Sequence, residues 1–169
     1  DSALPEPRTD GYSFGTNVET IDTNVLSPEK QAAAKAGTLT PTDTTLANPS
    51  WAWSAGAGIS TADDLVKYMQ ALVGGDLLGP EMQKTRMASV TPVNPTDPQS
   101  PGYGYALAQF GPLYGHTGEL PGYNTFAAHD PARKITIVVW AATAPAPDGR
   151  APATTMARAI IGELYKTGG

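Results

Sequence analysis

Sixteen prolines and eighteen glycines cut this 169-residue chain into short pieces, so a fold built of long uninterrupted elements is excluded. Proline fixes φ and removes a backbone donor, while glycine opens left-handed conformations, and each therefore marks an end or a turn. With only 16% charged residues, such numbers also suit a disordered chain. Three tryptophans and seven tyrosines argue instead for a folded body with long irregular connections. The length allows one domain with a core, or a large piece of something bigger.

The interruptions are uneven. Residues 1–50 hold the dense stretches "LPEPRTDGYSFG" and "TLTPTDTTLANPS", in which neither period two nor period 3.6 persists. Between them "SPEKQAAAKAG" predicts one short helix, with Ser27 as N-cap, Pro28 as first helical residue and Gly37 as left-handed stop. This irregular Pro/Thr-rich segment gives way near residue 50 to a regular part, 51–169. There "WAWSAGAGIS" reads as a closely packed turn or bulge. "STADDLVKYMQALVGG" is the best helix: Ser60 can cap it, Asp63 and Asp64 sit at the positive end of its dipole, and Gly74-Gly75 ends it. Leu65, Tyr68, Met69 and Leu72 share one face, expected to be buried. "GPEMQKTRMA" predicts a second helix, and the proline-rich loop "TPVNPTDPQSPG" follows it.

Beyond that loop, "YGYALAQF", "LYGHTG", "YNTFAAHD" and "KITIVVWAA" are short runs separated by turn residues, as in an antiparallel sheet. "DPARK" suits a tight turn with Pro131 at its second position. The nearly all-apolar "KITIVVWAA" predicts a central strand covered on both faces. A last helix from about Ala153 to Lys166 is expected to bury Met156, Ile160, Ile161 and Leu164. The order of elements points to α+β, with helices packed on an antiparallel sheet.

Charge and composition narrow the partners. A net charge of -5 and a pI near 4.8 argue against nucleic acid or an anionic membrane. No apolar run is long enough to cross a bilayer. Zero cysteines exclude disulfides, thiolate metal sites and a cysteine nucleophile, and nothing calls for a metal or cofactor. Asp1-Ser2-Ala3-Leu4-Pro5 lacks the basic start and apolar stretch of a secretion signal. Either such a start has been removed, or the gene product begins elsewhere.

Two histidines are present. His129, beside Asp130-Pro131, reads as a solvated turn residue. His116 has more specific surroundings in "YGHTGELPGYNTF": Gly115 and Gly118 bracket it, so its backbone can be approached closely, and Thr117 adds a hydroxyl. An exposed edge strand of this kind can pair with an extended ligand and offer N–H donors to an oxyanion. A strand-end histidine in a hairpin fits the same residues.

"GHTGELPGYNTF" resembles the third signature box of the serine β-lactamase and penicillin-binding-protein superfamily. The His-Thr-Gly form is that of the branch containing D-alanyl-D-alanine carboxypeptidases, esterases and class C β-lactamases. "SWAWSAGAGISTADDLVKYMQALVGGDLLGPEMQKTRM", "GYGYAL" and "DPARKITIVVWAA" are similar to the same branch and stand in the same order, from about Trp51 to Tyr165. "LPEPRTDGY" adds a weaker likeness upstream. The resemblance implies the C-terminal part of a β-lactamase/transpeptidase-like fold. It implies that Thr117 hydrogen-bonds the substrate's carboxylate or carbonyl side, and that His116 supplies positive potential and orders the hydroxyl network. Gly118 would leave room for the substrate backbone, and the backbone N–H of Glu119 would be half of the oxyanion hole. Trp51 would line the cleft; a core tryptophan is the alternative reading.

The same resemblance requires a serine followed three residues later by a lysine, and a Tyr-x-Asn or Ser-x-Asn loop. The only Ser-x-x-Lys is Ser27-Pro28-Glu29-Lys30, where serine suits a helix cap rather than a nucleophile, and neither loop motif occurs. The chain therefore reads as the C-terminal part of a serine hydrolase whose nucleophile and lysine lie outside it. The implied partners are the N-terminal part of the same enzyme, in one precursor or as a separate chain, and a small acyl substrate: an ester, a β-lactam or a D-amino-acid peptide. The absence of arginine from "YGYALAQFGPLYGHTG" favours esterase or amidase over carboxypeptidase. Without its helical half the chain is expected to hydrolyse nothing and to expose an apolar patch. A non-catalytic binding module or inactive fragment is the alternative. Export is expected by family analogy.

Overall fold

The computed structural model describes residues 5–20, 25–97 and 100–166. Residues 1–4, where no secretion signal was read, and two positions of the proline-rich loop lie outside this set. The fold is α+β. Near the start, β1 (Tyr12–Ser13) pairs antiparallel with β2 (Thr42–Asp43). Between them runs α1 (Pro28–Lys35), whose N-cap Ser27 accepts from the Lys30 amide, as the sequence predicts. A 3-10 helix, Pro49–Ala55, stands where a turn or bulge was expected. Pro49 at its first position and the Asn48 side chain, which accepts from the Ser50 amide, start it.

Next come α2 (Ala62–Gly74) and α3 (Pro80–Ala88). A six-stranded sheet follows, with β3 (Thr91–Pro92), β4 (Gly102–Gly104), β5 (Leu107–Phe110), β6 (Leu113–Leu120), β7 (Tyr123–Asp130) and β8 (Ile135–Ala141) in chain order. The β3–β4, β4–β5 and β5–β6 pairs are antiparallel. The chain closes with α4 (Pro152–Leu164). No helix of the described residues is long and apolar enough to cross a membrane.

Contacts divide the chain into two compact units: residues 60–117 with 126–138, and residues 1–59 with 118–125 and 139–169. The first, here the α2 unit, has a conventional apolar core. Met69, Leu72, Leu107 and Ala127 are buried together, with Met87, Val90, Tyr114 and Val138 packed against them. At roughly 2 kcal/mol for each large aliphatic side chain removed from water, this cluster dominates its stability. Thr61 caps α2, not Ser60: its Oγ1 accepts from the Asp64 amide at 3.2 Å. The donor amide lies three residues past the cap, the usual capping geometry. Gly75 ends the helix at φ +96°. Gln83 then donates to the carbonyls of Leu72 and Val73, which binds α3 to the end of α2. Met69 and Leu72 face the core as expected, but Tyr68 is exposed and Val73 is buried instead, because the buried stripe is rotated by a residue.

The second, here the α4 unit, is held differently. Leu26, Ala144 and Pro145 are buried, and a set of polar links joins segments far apart in sequence. Ser13 Oγ donates to the Ala144 carbonyl, the Gly11 amide to Thr45 Oγ1, and the Thr44 amide to the Gly11 carbonyl. Tyr12 bridges to the chain after β8, donating to Ala142 and accepting from Ala144.

Two expectations for apolar segments are corrected. β8 is the last strand of its sheet rather than a central one, and Trp140 within it is exposed. An apolar run records the character of its side chains, not the strand's place in the sheet order, which its hydrogen-bonded neighbours decide. In α4 the buried residues are Ala153 and Ala157, whereas Met156, Ile160 and Leu164 are 55%, 36% and 45% exposed. Burial is concentrated in the first two turns of α4, where small side chains allow close approach.

Candidate functional site

The stretch "YGHTGEL" lies within β6. It is not an edge strand along its whole length, because β5 and β7 flank it in the sheet. Its register with β5 pairs Phe110 with Leu113, Gln109 with Tyr114 and Ala108 with Gly115. β6 then continues five residues past the last of these pairs, to Leu120. His116, Gly118 and Glu119 are exposed there, with Thr117 half-buried between them. The edge character expected of the strand is thus confined to its second half.

The two bracketing glycines differ. A Cβ on Gly115 would lie 2.0 Å from the Ala127 carbonyl oxygen and 2.5 Å from the Ala128 Cα. The close approach at Gly115 is therefore made by the protein's own β7 and leaves no room for a ligand. A Cβ on Gly118 would meet only the Thr125 Cβ at 3.7 Å, an ordinary contact. Gly118 alone keeps the open backbone that the sequence suggested for both.

Both nitrogens of His116 are engaged. Nδ1 lies 2.5 Å from the Thr117 carbonyl oxygen, and Nε2 lies 3.0 Å from the Tyr103 hydroxyl. The two rings meet edge to face, centroids 5.6 Å apart at 74°. Tyr103 comes from β4, two strands away, and was not singled out in the sequence. Its row explains the reach: Tyr103 pairs with Ala108, and Ala108 with Gly115. Neither neighbour carries more than a methyl group, so a phenol ring has room to extend toward β6. The signal was "GYGYAL" itself, an aromatic set among residues too small to cover it.

In the α4 unit, Glu119 accepts a hydrogen bond from Asn17 Nδ2. Asn124, fully buried, was also missed. Its Nδ2 donates to the Gly118 carbonyl at 2.8 Å, and its Oδ1 accepts from the amides of Ala153 and Thr154. One amide thereby satisfies β6 and the otherwise unpaired N-terminus of α4, which has no side-chain cap of its own. Trp51, on the 3-10 helix, is 70% exposed, which removes the core reading. Nearby Trp53 is held at φ +39°, a conformation that L-residues rarely adopt.

His129 departs from its solvated reading: it is buried, with Nδ1 2.9 Å from Thr136 Oγ1. Its neighbour Asp130 is buried too and accepts from the amides of Ala132 and Arg133, which makes the expected tight turn. Polar residues beside a proline looked like surface, but the aspartate spends its charge on the turn's own donors. Ser27 and Lys30 serve structure: the serine oxygen caps α1 and the Lys30 ammonium pairs with Glu19. Among the described residues no group of three or more His, Asp or Glu side chains could hold a metal. Burial pushes the Tyr123 phenol above its usual range, while hydrogen bonds from Thr45, first its hydroxyl and then its amide, hold Asp43 below the usual carboxylate range.

Comparison with solved structures finds a D-stereospecific amidohydrolase from Streptomyces sp., at TM-score 0.69 and 24% identity. The match covers 99% of this chain and 42% of the amidohydrolase, so the chain spans well under half of that protein's length. A family model, Beta-lactamase, matches residues 16–160. Those residues include the whole α2 unit, most of the α4 unit and the whole of β6, and the chain accordingly belongs to the Beta-lactamase family.

Proposed function

We propose that this chain is the C-terminal part of a serine acyl-hydrolase acting on an ester, a β-lactam or a D-amino-acid peptide, with esterase or amidase chemistry preferred to carboxypeptidase action. The observation that carries the reading is the exposed run from His116 to Glu119 on a strand that outlasts its partner β5. Thr117 offers a hydroxyl to the substrate's carboxylate or carbonyl side, His116 supplies polarity and orders the hydroxyls, and Gly118 leaves space for the substrate backbone. The Glu119 amide is half of an oxyanion hole, a donor whose loss costs about 10²–10³ in turnover in comparable enzymes. Trp51 lines the cleft. The nucleophilic serine attacks the acyl carbon while a lysine or tyrosine takes its proton and passes it to the departing alcohol or amine; water then cleaves the acyl-enzyme ester, releasing the acid and restoring the serine.

Those groups come from the N-terminal part of the same enzyme. The structural use of Ser27 and Lys30 supports this, since neither is available for nucleophilic work. So does the exposed apolar set Trp140, Met156, Ile160 and Leu164, of the kind a second part of the protein would cover. The amidohydrolase it resembles is more than twice as long. Export belongs to the same proposal, on family analogy.

The test is a labelled penicillin or a fluorophosphonate added to the protein of the complete reading frame, with the adduct mapped. A labelled serine outside residues 1–169 supports the reading. Labelling at Ser27 overturns the assignment of roles, and no labelled serine at all supports a non-catalytic binding module. The isolated 169 residues should not turn over nitrocefin or p-nitrophenyl acetate. On a sizing column they should associate rather than run as a compact monomer.

A further inference from the structure

We infer that Tyr103 is a positioning residue for His116, holding its imidazole as the neutral tautomer that carries hydrogen on Nδ1. The Thr117 carbonyl oxygen, 2.5 Å from Nδ1, can only accept, so Nδ1 must carry the hydrogen. In a neutral ring that leaves the lone pair on Nε2. The Tyr103 hydroxyl, 3.0 Å away, can donate or accept, and against a lone pair it donates. The edge-to-face ring contact fixes the plane in which this happens. Free imidazole side chains in water favour the opposite tautomer, with hydrogen on Nε2, so the two hydrogen bonds together reverse an intrinsic preference.

The consequence rests on the proposed function and narrows it: a neutral imidazole orders the hydroxyls but carries no positive charge, so it does not supply the positive potential that the resemblance implies for His116. With both ring nitrogens satisfied from within the protein, His116 has no vacant lone pair with which to take a proton from an attacking serine. Tyr103 is itself exposed, so its hydroxyl joins that of Thr117 among the polar groups at this point. Tyr103 then extends the surface presented by β6: His116 orients the phenol, and the phenol's remaining lone pair accepts from a donor on the ligand.

The tautomer can be read without any substrate. The protein of the complete reading frame, ¹⁵N-labelled at histidine and held at a pH where the imidazoles are neutral, gives long-range ¹⁵N–¹H correlations to which residues 1–169 contribute two histidines. A His116→Asn sample assigns them. The expected His116 pattern is pyrrole-type Nδ1 and pyridine-type Nε2. Tyr103→Phe keeps the ring contact and removes the hydroxyl. It should shift the tautomer ratio toward Nε2–H by about fivefold, the worth of one ordinary hydrogen bond. Unchanged His129 signals show that the variant is folded, because His129 has its own partner in Thr136. A predominantly Nε2–H ring in the unmodified protein overturns the inference, whether or not the variant folds. So does a folded Tyr103→Phe with unaltered populations. Either result leaves the serine-labelling experiment untouched, so failure here and failure of the hydrolase reading are separable.

Discussion

The α2 unit and the α4 unit reach order by different means. In the first, an amphipathic helix lays Met69 and Leu72 against Leu107 and Ala127, and burial of hydrocarbon does most of the work. In the second, much of the long-range order comes from single polar atoms: Ser13, Thr44, Thr45 and Asn124 each satisfy backbone groups far away in sequence. Oil-like cohesion tolerates local error, because neighbouring side chains repack. A hydrogen-bonded framework built on one amide does not, since losing that atom strands several partners together.

The sharpest way to break the comparison is through the strand whose residues fall in both units. Gly115→Ala places a methyl carbon 2.0 Å from a carbonyl oxygen and 2.5 Å from a Cα, both backbone atoms that cannot swing aside. The expected cost exceeds about 4 kcal/mol, seen as insoluble protein or a lost cooperative transition. Gly118→Ala, three residues on, should change urea stability by less than about 1 kcal/mol, because its methyl would meet only ordinary contact. Equal effects at the two glycines would show that β6 and β7 do not approach as described.

Within each unit one truncation measures how it is held. Leu107→Ala removes a side chain with no exposure from the apolar cluster and should cost about 2–5 kcal/mol, depending on how far the cavity collapses. Asn124→Ala strands the Gly118 carbonyl and two amides of α4 and should cost about 2–3 kcal/mol. A loss under about 0.5 kcal/mol at Asn124 would mean that polar links are not what orders the α4 unit. At the start of α2, Thr61→Ala should cost about 1 kcal/mol in thermal unfolding, while Ser60→Ala stays within about 0.5 kcal/mol.

The same contrast explains what could be read from the chain beforehand. The α2 unit was legible because its elements announce themselves: Asp63-Asp64, the spacing of Met69 and Leu72, and Gly74-Gly75 specify a helix and a face. β6 to β8 could be placed from short runs between turn residues, whereas "YGYALAQF", read as a single run, divides into β4 and β5, and β8's position in the sheet depends on neighbours that an apolar run cannot name. His116, Thr117, Gly118 and Glu119 stood out because glycine, imidazole and hydroxyl together specify a backbone. Tyr103 and Asn124 did not. Their importance lies in partners 13 and 29 residues away, and neither residue type signals a distant bond by its local pattern. The sense of Gly115 was inverted for a related reason: glycine reports close approach but not by what.

The smallest effect tests whether the α4 unit's polar framework also governs its response to pH. Tyr123 donates its hydroxyl hydrogen to the Thr9 carbonyl at 3.0 Å, and its ring fills the space beside Gly11. Burial raises its pKa, the Thr45 hydroxyl bond opposes that rise, and the charge of Asp10 reinforces it. A raised folded pKa means that the folded state holds the phenolic proton more tightly than the unfolded chain does. That stabilisation is complete below about pH 10 and is lost as pH climbs through the folded value, where the anion can no longer donate to Thr9. Asp43 has the opposite sign: its lowered pKa contributes above the ordinary carboxylate value and fades as pH falls. Tyr123→Phe should therefore flatten the alkaline limb of the stability profile and leave the acid limb unchanged. Denaturant titrations across both limbs read this directly. An alkaline limb equally steep in the variant would assign it to lysines or other tyrosines, and would remove Tyr123 from the contacts that hold the α4 unit together.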